Sequence, residues 1–163
     1  MKTLIVYDSL YGNTKKIAET IGQNISGEVK ILPVKDVESS AFAQINLLIV
    51  GSPTHAGRPT ENVKKFLQNI SDNFLKDKYV AAFDTRASSL DQSWFVKMLI
   101  NVLGYAAIHI QKKLLQKGGV AIIEPTGFMV KGKEGPLEDG ELARAEKWGR
   151  ELIQKFNQIK SPQ

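Results

Sequence analysis

The chain predicts an α/β fold, a three-layer sandwich in which a five-stranded parallel sheet is covered by helices on both faces. Three observations carry that prediction. Strand-like and helix-like segments alternate five times along the sequence. The strand-like segments are continuous apolar, β-branched runs such as Thr3-Leu4-Ile5-Val6-Tyr7, the pattern of strands buried on both faces. Polar segments rich in glycine, proline and hydroxyl residues follow directly after these runs, at the carboxyl ends of strands, where open parallel sheets gather ligands.

The elements follow in order. After the first strand, Asn13 to Ile25 is a helix with Ile17, Ala18, Ile21 and Ile25 at helical spacing. Val29 to Val34 is the second strand, the polar stretch Asp36 to Ala43 holds at most a short helix, and Ile45 to Val50 is the third strand. Thr60 opens a helix running to Ile70, with Val63, Phe66, Leu67 and Ile70 inward and Glu61 near the positive end of its dipole. Tyr79 to Phe83 is the fourth strand, and a loop runs from Asp84 to Gln92. A long helical stretch, bent at Gly104, spans Ser93 to Gln116. Val120 to Ile123 forms a short fifth strand. A Gly/Pro-rich connection then leads to a last helix from Glu141 to Ile159, and the tail from Lys160 frays.

The 163 residues contain no internal repeat or linker, so residues 1–163 are read as one domain. A chain of this length buries about 70 per cent of its unfolded surface and needs no staples. It has none, because the absence of cysteine excludes disulfides, thiolate metal sites and cysteine nucleophiles. Two distant histidines offer no recognisable ligand set, so no metal site is expected. The net charge is +5, but the lysines are scattered in pairs such as Lys15-Lys16, Lys64-Lys65 and Lys112-Lys113, the mark of solvated helix faces. No nucleic-acid motif accompanies them, whereas an anionic protein partner fits the charge. The first strand follows the amino terminus without a basic and apolar leader, which predicts a cytoplasmic protein. Trp94 to Ile110, the longest apolar region, contains Lys97, Asn101 and His109 and is too short and polar to cross a membrane.

Ser9-Leu10-Tyr11-Gly12-Asn13-Thr14 is the most informative stretch. It lies between a strand's carboxyl end and a helix's amino end, where free N–H groups and the helix dipole favour an anion. Ser9, Tyr11 and Thr14 add hydroxyl donors, and Gly12 permits close backbone approach. The lysine-bearing loop of nucleotide triphosphatases and the Gly-x-Gly-x-x-Gly of dinucleotide binders are both absent. What remains suits a permanently held monophosphate; the alternative is an ordinary turn capped by Asn13 or Thr14. Two further loops join it at the sheet's carboxyl edge: Gly51-Ser52-Pro53-Thr54-His55-Ala56-Gly57-Arg58-Pro59-Thr60 and Asp84-Thr85-Arg86-Ala87-Ser88-Ser89. One phosphate loop with two polar loops beside it frames a flat, hydrogen-bonding ring.

The motif Ser/Thr-x-Thr/Tyr-Gly-x-Thr, carried by Ser9, Tyr11, Gly12 and Thr14, resembles that of the flavodoxin family. The five βα units and the two later loops fall in family order over nearly the whole chain. The segment Gly135-Pro136-Leu137 and the run from Gly140 through Trp148-Gly149 also resemble free-standing prokaryotic members. The resemblance implies strand order 2-1-3-4-5 and noncovalently bound flavin mononucleotide (FMN). It implies that Ser9, Leu10, Tyr11, Gly12, Asn13 and Thr14 hold the phosphate. Ser52, Pro53, Thr54, His55, Ala56, Gly57 and Arg58 would flank the isoalloxazine ring, with Asp84, Thr85 and Arg86 near its pyrimidine side. No separate catalytic residue is expected. Departures from the family are the basic charge and His55 where an aromatic ring is often found; Trp94 is either a cover for the flavin or a core anchor.

The implied function is electron transfer between redox partner proteins, by a monomer. The alternative is an FMN-dependent nicotinamide:quinone reductase, and a third reading is a cofactor-free interaction domain. Gly57 is the candidate hinge beside the ring, because glycine tolerates either sign of φ. Arg58 or Arg86 would stabilise negative charge on the reduced ring.

Overall fold

The computed structural model describes residues 1–87 and 105–160. Their elements are β1 (Lys2–Tyr7), α1 (Asn13–Gln23), β2 (Glu28–Pro33), two 3-10 turns (Val34–Asp36 and Ser39–Phe42), β3 (Leu47–Pro53), α2 (Glu61–Asn69), β4 (Tyr79–Ala87), α3 (Ala106–Gln116), β5 (Val120–Ala121), β6 (Thr126–Val130) and α4 (Glu141–Lys160). The sheet order is β2-β1-β3-β4-β5, as the resemblance implies, with β6 also paired to β4. Every pairing is parallel, and β1 lies between β2 and β3, with Ile5 opposite Ile31 on one side and Ile49 on the other.

The alternation of side chains along each strand divides the core in two. Ile5, Ile49 and Phe83 point to one face and pack with Ile17 and Ile21 of α1 and Trp148 and Leu152 of α4. Leu4, Val50 and Ala82 point to the other and pack with Val63 and Leu67 of α2 and Ile110 and Leu114 of α3. Central strands apolar on both faces are what this two-sided burial requires. Thr60 opens α2 as the sequence predicts, its side chain accepting a hydrogen bond from the Val63 N–H.

The structure departs from the sequence reading at the sheet's edge. β4 continues to Ala87, so Asp84, Thr85 and Arg86 are strand residues rather than loop residues. Their outer partner is β6, in register from Phe83 opposite Thr126 to Ala87 opposite Val130. Residues 126–130 read as connection because Pro125 and Gly127 punctuate them, yet Thr126, Phe128 and Val130 alternate as strand formers. Val80 pairs with Ala121 and Phe83 with Thr126, so the four residues Ile122 to Pro125 stand opposite only Ala81 and Ala82. Pro125 has no N–H to give the ladder, which breaks the outer strand into β5 and β6. Where the sequence reading runs one helix from Ser93 to Gln116, the structure starts α3 at Ala106 behind an extended Tyr105 at its N-cap; Trp94 and the bend at Gly104 lie outside the described residues.

Candidate functional site

The three segments singled out by sequence meet at the carboxyl edge of the sheet. A cavity of about 280 Å³ is lined there by Ser9, Leu10, Tyr11, Asn13 and Thr14, by Pro53, Thr54 and His55, and by Thr85, Arg86 and Ala87. Val130, Gly132 and Lys133 complete its wall.

The first arm leaves β1 and turns directly into α1. Gly12 takes the N-cap place with φ 87°, a left-handed conformation that costs any other residue roughly 1–2 kcal/mol. Ser9 Oγ accepts from the Lys15 N–H at 3.3 Å. The backbone N–H groups of residues 10–14 donate to no described residue, so they and the positive end of α1 are available to a ligand. Thr14 is buried, and its hydroxyl is 2.8 Å from that of Thr85, which also lines the cavity. One proton joins the two hydroxyls and the other is left to donate. Leu10 and Tyr11 are exposed at the loop tip. Asp8 fixes the base of the arm, its carboxylate accepting from the Ser9 N–H at 3.0 Å and the Thr60 hydroxyl at 2.6 Å. This donor set, N–H and O–H groups around a helix amino end, has the chemistry to hold a phosphate monoester.

The second arm extends β3. Ser52 is fully buried and does not reach the cavity; its Oγ donates to the Pro53 carbonyl at 2.9 Å and accepts from the Thr60 N–H at 3.0 Å. Thr54 N–H donates to the Thr85 carbonyl at 2.8 Å, tying this arm to the third. His55 and Arg58 then exchange two backbone hydrogen bonds of 2.9 Å, closing a two-residue hairpin over Ala56 and Gly57. Both central residues have positive φ, 47° and 79°, as a type I′ turn requires. Ala56, Gly57 and Arg58 form this tip and lie outside the cavity wall.

The third arm is the end of β4. Asp84 is completely buried, and its carboxylate takes Arg86 Nε at 2.6 Å and Nη2 at 2.8 Å. The Ala107 N–H donates to the same carboxylate at 2.9 Å, and the neighbouring Ala106 N–H donates to Thr54 Oγ1 at 3.1 Å. Asp84 and Thr54 therefore cap α3 from distant parts of the chain. Burial pushes the Asp84 carboxyl above its ordinary value, while Arg86, the Ala107 N–H and the Thr54 hydroxyl pull it down. Arg86 lies 3.5 Å from the centroid of the Tyr105 ring and across Gly127, where a Cβ would fall 2.0 Å from its Nη2. Its charge is thus neutralised by Asp84 and its position fixed from three sides.

The segment after β6 was not singled out for the site by sequence. Val130 and Leu137 form an antiparallel bridge, and the Lys131 N–H donates to the Pro136 carbonyl at 2.8 Å. The tip of this hairpin returns to the first arm, where Asn13 Nδ2 donates to the Glu134 carbonyl at 2.8 Å. Asn13 therefore holds the hairpin with its side chain. The signals were present in Val130-Lys131-Gly132-Lys133-Glu134-Gly135-Pro136-Leu137, two apolar ends around a charged, glycine-rich turn. His109 lies on α3, half-buried and outside the cavity wall. Among the described residues, no helix is long and apolar enough to cross a membrane.

A family model described as "Flavodoxin domain" matches residues 4–118. A flavodoxin of Clostridium saccharobutylicum is 27% identical over 163 residues, covering 98% of this chain and 99% of its own. A solved flavodoxin from the domain Archaea superposes with a TM-score of 0.75 at 25% identity, over 96% of this chain and 99% of that one. Oxidised Flavodoxin 1 from Bacillus cereus shares the fold with a TM-score of 0.72, at 20% identity over 94% of this chain and 98% of that one. By fold, by the cavity at the sheet's carboxyl edge and by this match, the chain belongs to the flavodoxin family.

Proposed function

We propose that this protein binds FMN in the cavity at the carboxyl edge of its sheet and carries electrons between redox partner proteins. The observation that supports this most is the convergence of a donor-rich, anion-suited loop (Ser9–Thr14) with Pro53–His55 and Thr85–Ala87 around one cavity. FMN, when bound, supplies reversible acceptance of electrons, one or two at a time. The protein's part is to hold and orient it. The N–H groups of residues 10–14 and the Thr14–Thr85 hydroxyl pair hold the phosphate end. Pro53, Thr54 and His55 on one side, with Thr85 and Arg86 on the other, set the ring's orientation and exclude water from its edges. The Ala56–Gly57 peptide sits between two positive-φ residues, and its reversal turns on φ of Gly57, which tolerates either sign, and on ψ of Ala56, where the side chain adds a cost. Such a peptide offers N–H or C=O to match the protonation state of a neighbouring ring nitrogen. Arg86, paired with Asp84, orients the arm rather than adding a free charge. The net charge of +5 suits partners whose docking face is acidic.

Two measurements on the FMN-loaded protein test this reading against a reductase. An anaerobic reductive titration is expected to proceed in two separable one-electron stages, and reduced nicotinamide with a quinone present is expected to show no sustained oxidation. Sustained turnover of nicotinamide by the isolated protein would make it a reductase. Replacing Gly57 with Val is expected to narrow the gap between the two one-electron potentials; an unchanged gap removes the hinge role.

A further inference from the structure

The first arm carries no cation into the cavity, and the wall includes two cationic side chains from elsewhere, Arg86 and Lys133. Arg86 is engaged by both oxygens of Asp84 at 2.6 and 2.8 Å. Lys133 forms no ion pair with any described residue, whereas its neighbour Lys131 is paired with Asp139 at 3.2 Å and Lys15 with Glu19 at 3.8 Å. The hairpin that carries Lys133 is anchored at its own base by the Val130–Leu137 bridge and against α1 by the Asn13–Glu134 bond of 2.8 Å. The approach to α1 is close enough that a Cβ on Gly135 would fall 2.5 Å from Asn13 Nδ2. The hairpin is therefore docked on the residues that begin the anion-suited helix, and Lys133, exposed to solvent, lines the cavity without an ion pair to any described residue.

We propose that Lys133 is a cationic contact of the phosphate end, adding charge to a site whose own loop supplies only N–H and O–H donors. The inference rests on the flavin reading above and adds to it a residue distant in sequence from the phosphate loop. A single flexible ammonium beside a dianionic phosphate gives a charge-assisted contact that salt screens, while the ring and ribityl contacts are indifferent to it.

The test is calorimetric titration of the full chain with FMN and with riboflavin, at low and high salt, for the wild type, Lys133→Met, Lys133→Arg and Lys131→Met. Lys133→Met keeps most of the apolar stem and removes the charge. It is expected to weaken FMN binding about five- to tenfold at low salt, with riboflavin binding changed less than about twofold, the size of one partly exposed charge contact. Lys133→Arg is expected to restore FMN binding, Lys131→Met to match the wild type, and high salt to narrow the gap between the wild type and Lys133→Met. Equal weakening of FMN and riboflavin would assign Lys133 a packing role and overturn the proposal, as would unchanged FMN binding. A wild type that binds neither flavin would overturn the flavin reading itself and the proposal with it.

Discussion

Arg86 lies with two nitrogens on Asp84 and its guanidinium against Tyr105, so the pair works as one neutral brace joining the end of β4 to the start of α3. Its partner Asp84 gives the brace a pH dependence. Burial raises the Asp84 carboxyl above its unfolded value, so the group's favourable contribution to stability is complete below that unfolded value and declines as pH rises through the raised one. The urea-unfolding free energy of the wild type minus that of Asp84→Asn is therefore expected to fall from about pH 4, the ordinary aspartate value, toward neutrality. A difference that grows with pH would mean that Arg86 outweighs burial. The turn that carries Ser9, Gly12 and Thr14 was legible as a strand-to-helix loop at the sheet's carboxyl edge because its chemistry is local: a strand end, a helix start and a glycine. The confinement of Ser52 to a structural hydrogen-bond network was not, since a serine in a polar loop reads the same whether its hydroxyl faces Thr60 or a ligand.

The outer strand decides what the end of β4 becomes. Asp84, Thr85 and Arg86 read as loop because they are polar, and they are strand because β6, some forty residues later, pairs with them and because two of them neutralise each other. Pairing at that separation leaves no local trace. Gly127 stands opposite Asp84 in this ladder, and its missing side chain leaves the space that Arg86 fills. Gly127→Ala is expected to cost about 1–3 kcal/mol in urea unfolding, as for other overpacked sites, because the guanidinium must leave Asp84 or Tyr105 to make room. Full retention of stability would show that Arg86 relocates without loss. The hairpin after β6 behaves similarly. Gly135→Ala, at φ 108° and against Asn13, is expected to loosen the hairpin from α1 and weaken FMN binding while the two-sided core remains intact by circular dichroism. By contrast, β1, α2 and the apolar centre of β3 were legible, since continuous apolar runs and a threonine cap declare themselves within a few residues, while Gly51, Ser52 and Pro53, read as loop, are the last residues of β3.

Across the molecule, the doubly covered sheet makes its carboxyl edge the place where three backbone arms and a fourth, later hairpin converge, while the apolar bulk of each strand lies in the two core layers. The charge of the chain as a whole then bears on docking rather than on the fold. Electron transfer from the FMN-loaded protein to an acidic acceptor protein is expected to slow as ionic strength rises, and transfer to a basic acceptor to quicken, in stopped-flow measurements. The opposite ordering would mean that an acidic patch governs encounter. The most direct test of the whole account is an absorption spectrum of the purified protein after incubation with FMN and desalting, compared with Thr14→Val. Flavin bands near about 370 and 450 nm that stay with the wild-type protein at equimolar FMN, and weaken in Thr14→Val, are the result the account predicts. FMN that leaves the wild type entirely in the small-molecule fraction would contradict it.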